Sequence, residues 1–247
     1  MSEDSIDETQ KKNTTQWGRR DLVKAGLTVT AAVLAPGVAN ATSPSAAPTT
    51  AKKVLIINAH QTYPGMSEGR LTRTLIDVIQ ARMESKGFQV RHTYIEKGYE
   101  VNDEVQKHVW ADIIITQSPL FWFGSPWIYK KYIDEVFTAG LIQKSMVIDD
   151  GRTRKDPTRQ YGSGGNMHGK QYLLSLTMNA PSEAFGNRNQ ELFSGRTVGD
   201  LMLSNTANYA FSGVKILPLF VCADVIKTPK VDQHINELKQ HLTDVFG

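Results

Sequence analysis

Two periods alternate along this chain, and each switch between them marks an element. Val54-Leu55-Ile56-Ile57, entered through Lys52-Lys53 and left through Asn58, is an apolar run of strand length. Leu71, Leu75, Ile76, Ile79 and Met83 then recur at helical spacing, with Ser67 expected as the N-cap and Lys86-Gly87 as the close. Residues 88–94 alternate as a second strand, and Asp103 is expected to cap a short helix ending near Trp110. A third strand is expected over 112–116, where Ile113-Ile114-Ile115-Thr116 is β-branched without a break, the pattern of a strand covered on both faces. Ser125-Pro126 predicts a cap and a first helical position for a helix over 126–138 that presents Tyr132, Ile133, Val136 and Phe137. A fourth strand is expected over 171–178, a helix over 198–209 and a fifth strand over 214–221. Val231, Ile235, Leu238, Leu242 and Val245 mark the inner face of a last amphipathic helix.

Five strands alternating with helices predict an α/β fold with a parallel, doubly wound sheet, because each crossover needs a helix and a right-handed path. The expected strand order is 2-1-3-4-5, the flavodoxin-like one, whose ligand crevice lies between strands one and three. That order puts residues 60–67 beside residues 119–124. Two stretches fall outside the pattern, 140–169, dense in glycine, charge and proline, and 181–196. Loops of that length are usually functional or disordered.

The first fifty residues belong to no element of this pattern. Trp17-Gly18-Arg19-Arg20-Asp21-Leu22-Val23-Lys24, followed by a modest apolar stretch, resembles a twin-arginine signal, with Gly18 and Leu22 as its two departures. Ala39-Asn40-Ala41 fits a small-residue cleavage site, so residues 1–41 are expected to be removed as a signal peptide. The apolar stretch is too short and too poor in leucine to span a bilayer comfortably. Residues 42–51, rich in serine, proline, alanine and threonine, predict a flexible linker, and 52–247 the folded domain. The expected location is periplasmic, or otherwise exported through the twin-arginine machinery; a signal that does not function leaves the protein in the cytoplasm.

Composition narrows the function. The chain has 247 residues, 40% hydrophobic and 21% charged, enough for one good core. A net charge of +3, without a basic block, lacks the footprint of a nucleic-acid binder. The single cysteine, Cys222, excludes an internal disulfide and a thiolate metal cluster, and is expected as a small core residue. No histidine pair has metal-ligand spacing, so no metal is expected. No Gly-x-Ser-x-Gly elbow supports a hydrolase.

Candidate chemistry sits on three loops at one end of the expected sheet. Ser118-Pro119-Leu120-Phe121-Trp122-Phe123-Gly124-Ser125-Pro126-Trp127 leaves strand three at its carboxyl end, where open α/β sheets bind ligands. Its large rings suit a flat, apolar partner, or else cover the core or a dimer contact. Residues 58–69 lead into a helix N-terminus whose free N–H groups, with Ser67, suit a phosphate. Their spacing matches neither a Walker A loop nor Gly-x-Gly-x-x-Gly. A phosphate site beside a wall of rings points to a flavin, and Thr177-Met178-Asn179-Ala180 offers backbone donors to the polar edge of such a ring.

Longer stretches carry a family resemblance. Asp150-Gly151-Arg152-Thr153-Arg154-Lys155-Asp156-Pro157, Tyr161-Gly162-Ser163-Gly164-Gly165, Leu174-Ser175-Leu176-Thr177-Met178-Asn179-Ala180-Pro181, Lys130-Lys131-Tyr132-Ile133-Asp134-Glu135-Val136-Phe137 and Asp224-Val225-Ile226-Lys227 resemble the bacterial NADPH:quinone reductases of the modulator of drug activity B type. The resemblance runs from about residue 53 to 247. It implies a homodimer that holds FAD, in preference to FMN, and carries a hydride from NADPH to a quinone. FAD contacts are then expected at Ser67, Gly69, Arg70, Leu71, Thr72, Thr74, Leu120, Phe121, Trp122, Phe123, Tyr161, Thr177, Met178, Asn179 and Ala180. The departures are Leu120-Phe121 and Phe123, which bear on substrate shape and flavin potential.

Tyr161 is the expected catalytic side chain, stacking on the ring or donating to the quinone oxygen; the other reading packs it on the FAD adenine or ribose. Arg152, Arg154, Lys155 and Arg159 either meet the 2'-phosphate of NADPH or form a solvated loop or dimer contact with Asp149, Asp150 and Asp156. His168 is a proton donor or, more simply, loop surface. Two other functions fit: an exported flavin-binding electron carrier serving a protein or quinol partner, because NADPH is not expected outside the cytoplasmic membrane, and an azo or nitro reductase.

Overall fold

The computed structural model describes residues 51–247; the signal-like segment and all of the linker but Ala51 lie outside the described residues. The chain runs β1 (Lys53–Asn58), α1 (Arg70–Ser85), β2 (Gln89–Tyr94), α2 (Val101–Trp110), β3 (Ile113–Pro119), α3 (Trp127–Ile142) and β4 (Gln171–Thr177). It continues through α4 (Val198–Leu201), α5 (Leu203–Phe211), β5 (Lys215–Ile216), β6 (Phe220–Cys222) and α6 (Val231–Phe246). The pairings between these strands are parallel and the order is β2-β1-β3-β4-β5, as the alternation of strands and helices predicts, with β6 also paired to β4.

Successive side chains of a strand point to opposite faces, and this divides the core in two. Leu55, Ile57, Ile114, Tyr172 and Leu174 pack with residues of α2, α3 and α5. Val54, Ile56, Ile113, Ile115 and Leu173 pack with α1 and α6 on the other face. Buried on both sides, β1 and the first half of β3 need no polar alternation, which is why Val54 to Ile57 and Ile113 to Ile115 read as continuous apolar runs.

The expected fifth strand is interrupted. Tyr172 pairs with Ile216 but Ser175 pairs with Phe220, so residues 217–219 stand opposite 173–174, one residue too many. Pro218, which has no N–H for the ladder, sits in this bulge. The helix expected over 198–209 is likewise two, broken at Met202, with Thr197 and Asp200 forming a capping box on the first.

Three expected caps differ. Gly69, at φ 69°, precedes α1 in place of Ser67, whose hydroxyl is engaged with His60. Glu100 precedes α2, leaving Asp103 in its first turn, where its charge favours the positive end of the helix dipole. Pro126 precedes α3, and Ser125 instead accepts from Ser118 Oγ and Asn205 Nδ2. The same helix runs on past Thr138 to Ile142, and within it Gly140 leaves room for Met146: a Cβ there would lie 2.6 Å from its sulfur.

Residues 143–170 form an ordered excursion tied down by the Val147–Gly165 bridge. A Cβ on Gly165 would meet the backbone of Ser212 at 2.2 Å, so only glycine closes this loop onto the end of α5. Cys222 is fully buried, and burial pushes its thiol up to about 12. Iodoacetamide at pH 8 is therefore expected to leave the native chain unlabelled and to label it in guanidinium, a difference that mass spectrometry reads directly.

Candidate cofactor cleft

A cleft of about 720 Å³ opens at the carboxyl ends of β1, β3 and β4, within the range of small-molecule sites. Its first wall is the loop from Asn58 to Gly69. Asn58 Oδ1 accepts the His60 N–H at 2.9 Å and turns the chain out of the sheet. Tyr63 and Ser67 exchange backbone hydrogen bonds of 3.0 and 2.8 Å, and Glu68 accepts the Gly65 N–H, so the loop is a small closed ring. Glu96 holds it from outside, accepting from both the N–H and the hydroxyl of Thr62. The loop ends on Gly69, and no side chain caps α1, which leaves the amides of its first turn to water or a ligand.

The opposite wall is a two-residue hairpin. Phe121 and Gly124 bond each other through their backbones, and Trp122 and Phe123 between them have φ of 48° and 64°. Neither is glycine or asparagine, the usual occupants of such a turn, and each costs about 1–2 kcal/mol there. Strain of this kind persists only where the surroundings hold it. Here Phe121 stacks on Tyr63 of the first loop, centroids 4.3 Å apart and planes 5° from parallel, and Phe123 meets the edge of Phe193. Trp122 is left 85% exposed.

The third wall follows β4. Leu120 N–H donates to Thr177 O at 2.7 Å, Met178 N–H to Cys222 O, and Val225 N–H to Met178 O. This ladder brings Val225 and Ile226, which follow β6, into the lining.

Of the expected cofactor contacts, Ser67, Gly69, Arg70, Leu71, Thr72, Leu120, Phe121, Trp122, Thr177, Met178 and Asn179 line this one cleft. Four do not. Thr74 faces a groove between α1 and α6, Phe123 packs on Phe193, and Ala180 accepts from Asp224 N–H. Tyr161, 65% exposed, lines a different cavity of about 430 Å³ with Phe137, Leu141 and Phe211. Arg152 pairs with Asp150 and lies over the Tyr161 ring, its centre 5.2 Å away, while Asp156 is held by Thr158. His168 is exposed.

The expected contact set omits His60, although residues 60–67 were placed at the crevice. Its ring is buried and lies under Gly69, whose absent Cβ would come within 2.8 Å of it, and Nε2 is 3.1 Å from Ser67 Oγ. Burial lowers its pKa below the ordinary value, against the opposing pull of Glu96 and Glu68. A position two residues past a strand carries no periodic signal, so only the loop's fold reveals it. Val225 and Ile226 were legible in principle, since the exit of the fifth strand shares this end of the sheet.

Beyond Asp224 a second, polar hollow of about 210 Å³ is lined by Ser182, Glu183, Thr228, Lys230, Gln233 and His234. His234 is 8% exposed and its Nδ1 has no partner.

The parallel order and the cleft at the strand ends define a flavodoxin-like α/β protein built to hold a ligand at its topological switch point. A family model described as the flavodoxin-like fold matches residues 52–244. NADPH:quinone oxidoreductase MdaB of Haemophilus influenzae is 39% identical over 194 residues, covering 78% of this chain and 99% of that one. An uncharacterized protein of Schizosaccharomyces pombe is 45% identical over 199 residues, 79% of this chain and 97% of its own. Among solved structures, a candidate quinone reductase from Klebsiella pneumoniae superposes with TM-score 0.65 at 22% identity, covering 79% of this chain and 85% of that one. General stress protein 14 of Treponema denticola, solved with FMN, gives 0.51 at 15%, covering 78% and 94%. The chain belongs to the flavodoxin-like NAD(P)H:quinone oxidoreductase family, of the modulator of drug activity B type.

Proposed function

We propose that this protein is an FAD-dependent NADPH:quinone oxidoreductase. One observation carries the reading: uncapped amides at the start of α1 and the strained aromatic hairpin face the same cleft, one suited to a phosphate and the other to a flat ring. Such a cleft fits a flavin, which when bound takes a hydride from NADPH and passes it to a quinone. Ser67, Gly69 and Arg70 would hold the phosphate end, Phe121 and Trp122 the ring face, and the backbone of residues 177–179 the ring's polar edge. With a flavin bound, the same rings would keep water from the reacting face. The polar hollow past Asp224 supports FAD over FMN, because it gives an adenosine half polar surroundings, including the unpartnered His234 nitrogen.

Tyr161 lies in its own cavity, so its catalytic role requires a second copy of the chain. The apolar side chains that line its cavity, Phe137, Leu141, Val147 and Phe211, support a homodimer formed there. Export by the twin-arginine route rests on Arg19-Arg20 and Ala39-Asn40-Ala41, and the N-terminus of the mature protein, read by mass spectrometry, tests it.

The activity is tested by anaerobic mixing of flavin-loaded protein with NADPH, then with a small quinone. Loss of the flavin band followed by its return on adding quinone is expected. No bleaching with NADPH or NADH, with flavin bound and chemically reducible, overturns the nicotinamide half and favours an electron carrier with a protein or quinol donor.

A further inference from the structure

The loop over 181–196 has no place in the chemistry above, although a loop of that length is usually functional. Its own backbone closes it: Gly186 N–H donates to Arg196 O at 2.9 Å, Ser194 N–H to Gln190 O at 2.8 Å and Arg196 N–H to Phe193 O at 2.9 Å. Within it Phe185 stacks on Phe193, centroids 4.2 Å apart and planes 24° from parallel. Phe193 is buried, and the half-exposed ring of Phe123 meets it at 6.0 Å and 75°. The hairpin that carries Phe123 needs such a support. Its turn is closed by two backbone bonds, Phe121 N–H to Gly124 O at 2.7 Å and the longer return at 3.3 Å, around two left-handed residues in succession. Strain of that kind relaxes unless neighbouring groups hold it. Tyr63 holds Phe121 from one side and Phe193 holds Phe123 from the other, while Trp122 between them is exposed on the cleft wall.

We propose that Phe193, backed by Phe185, is a positioning residue that sets which quinones the cleft prefers. It holds Phe123, and with it the hairpin, in the conformation that presents the Trp122 indole to the cleft mouth, where the indole stacks on the second ring of a fused-ring quinone. Phe193 does not line the cleft, so it acts only through Phe123. The preference for fused rings rests on the quinone reading; the bracing of the hairpin does not. A naphthoquinone offers the indole a second ring and a benzoquinone does not, so the contact shows as a preference between the two. One aromatic pair is worth about three- to tenfold in affinity, and that is the expected size of the effect. A ring that served only to fill its own loop would change stability and leave the preference alone.

Two measurements on the full chain test this: amide hydrogen exchange of the flavin-free protein, and kcat/KM of the flavin-loaded protein with NADPH for 1,4-benzoquinone and 1,4-naphthoquinone. In Phe193→Ala the Phe121 and Gly124 amides are expected to exchange about tenfold faster, a larger factor than for the amides of β3 and β4. The preference for naphthoquinone should fall about three- to tenfold, through KM and not kcat. Adding Phe193→Ala to Phe123→Ala should change the preference no further, because the contact is already gone. Hairpin amides that exchange as in the wild type overturn the proposal. So does an unchanged preference beside faster exchange, or a second loss in the Phe123→Ala background. If the wild type reduces neither quinone, the quinone reading fails; hairpin exchange then still decides the bracing, and the two quinones' dissociation constants decide the preference. If Phe193→Ala does not fold, Phe123→Ala removes the same contact from its half-exposed side, and the same two readings support or overturn the proposal.

Discussion

Replacing Glu104 by alanine is expected to destabilise the folded chain by about 3–5 kcal/mol, the usual cost of removing one partner from a buried charged pair. The carboxylate is 1% exposed and takes hydrogen bonds from Tyr132 Oη and Thr93 Oγ1, both at 2.7 Å, and from Lys107 Nζ at 2.6 Å. Without it the Tyr132 hydroxyl stays buried with no acceptor, and Lys107 keeps only His92 O and the Thr93 hydroxyl. In a domain of this size the unfolding midpoint should fall on the order of 10 °C. Glu104→Gln keeps an acceptor for both hydroxyls and is expected to lose less. Urea unfolding of the three proteins measures this directly; a loss below about 1 kcal/mol for Glu104→Ala would show that the network closes up without the carboxylate. The network joins β2, α2 and α3 and contributes nothing to the cleft lining, so the fraction that folds should bind cofactor as before.

Gly69→Ala is expected to abolish most cofactor binding, with affinity down a hundredfold or more, and to cost about 2–4 kcal/mol of stability. Two penalties add: the left-handed backbone at φ 69° and a methyl group 2.8 Å from the buried His60 ring. Gly87 separates them, because it has φ 75° at the other end of α1 and nothing within 4 Å of a Cβ. Gly87→Ala should therefore carry the backbone cost alone, about 1–2 kcal/mol, and leave flavin affinity unchanged. Combining Gly69→Ala with His60→Ala relieves the contact, so the double variant should be more stable than the sum of the two single losses. Additivity in that cycle would refute the His60 contact as the cause.

What could be read from the chain was what a local period carries. The unbroken runs at Val54 to Ile57 and Ile113 to Ile115 marked strands covered on both faces, and the helical spacing from Leu71 to Met83 marked the face of α1 that covers them. With alternating strands and helices, these were enough for the sheet order, and the order placed the first and third loops together. The caps at Ser67, Asp103 and Ser125 were misplaced because short polar side chains bond as readily across the fold as to the next helix. Ser67 and Ser125 both did so, with His60 and with Asn205. The fifth strand read as one piece because its apolar pattern survives a bulge that only the pairing with β4 exposes.

Of the cleft, the chain by itself determined the aromatic loop, the helix entry and the segment after β4, since each follows directly from the end of a strand. Tertiary structure alone decided that Phe121 stacks on Tyr63, that Trp122 and Phe123 hold left-handed backbones, that His60 lies under Gly69, and that Tyr161 faces another cavity. The division has one physical reason. Burial periodicity is a property of neighbours along the chain, whereas ring stacking, close approach and shared protons depend on residues that the fold brings together from separate loops.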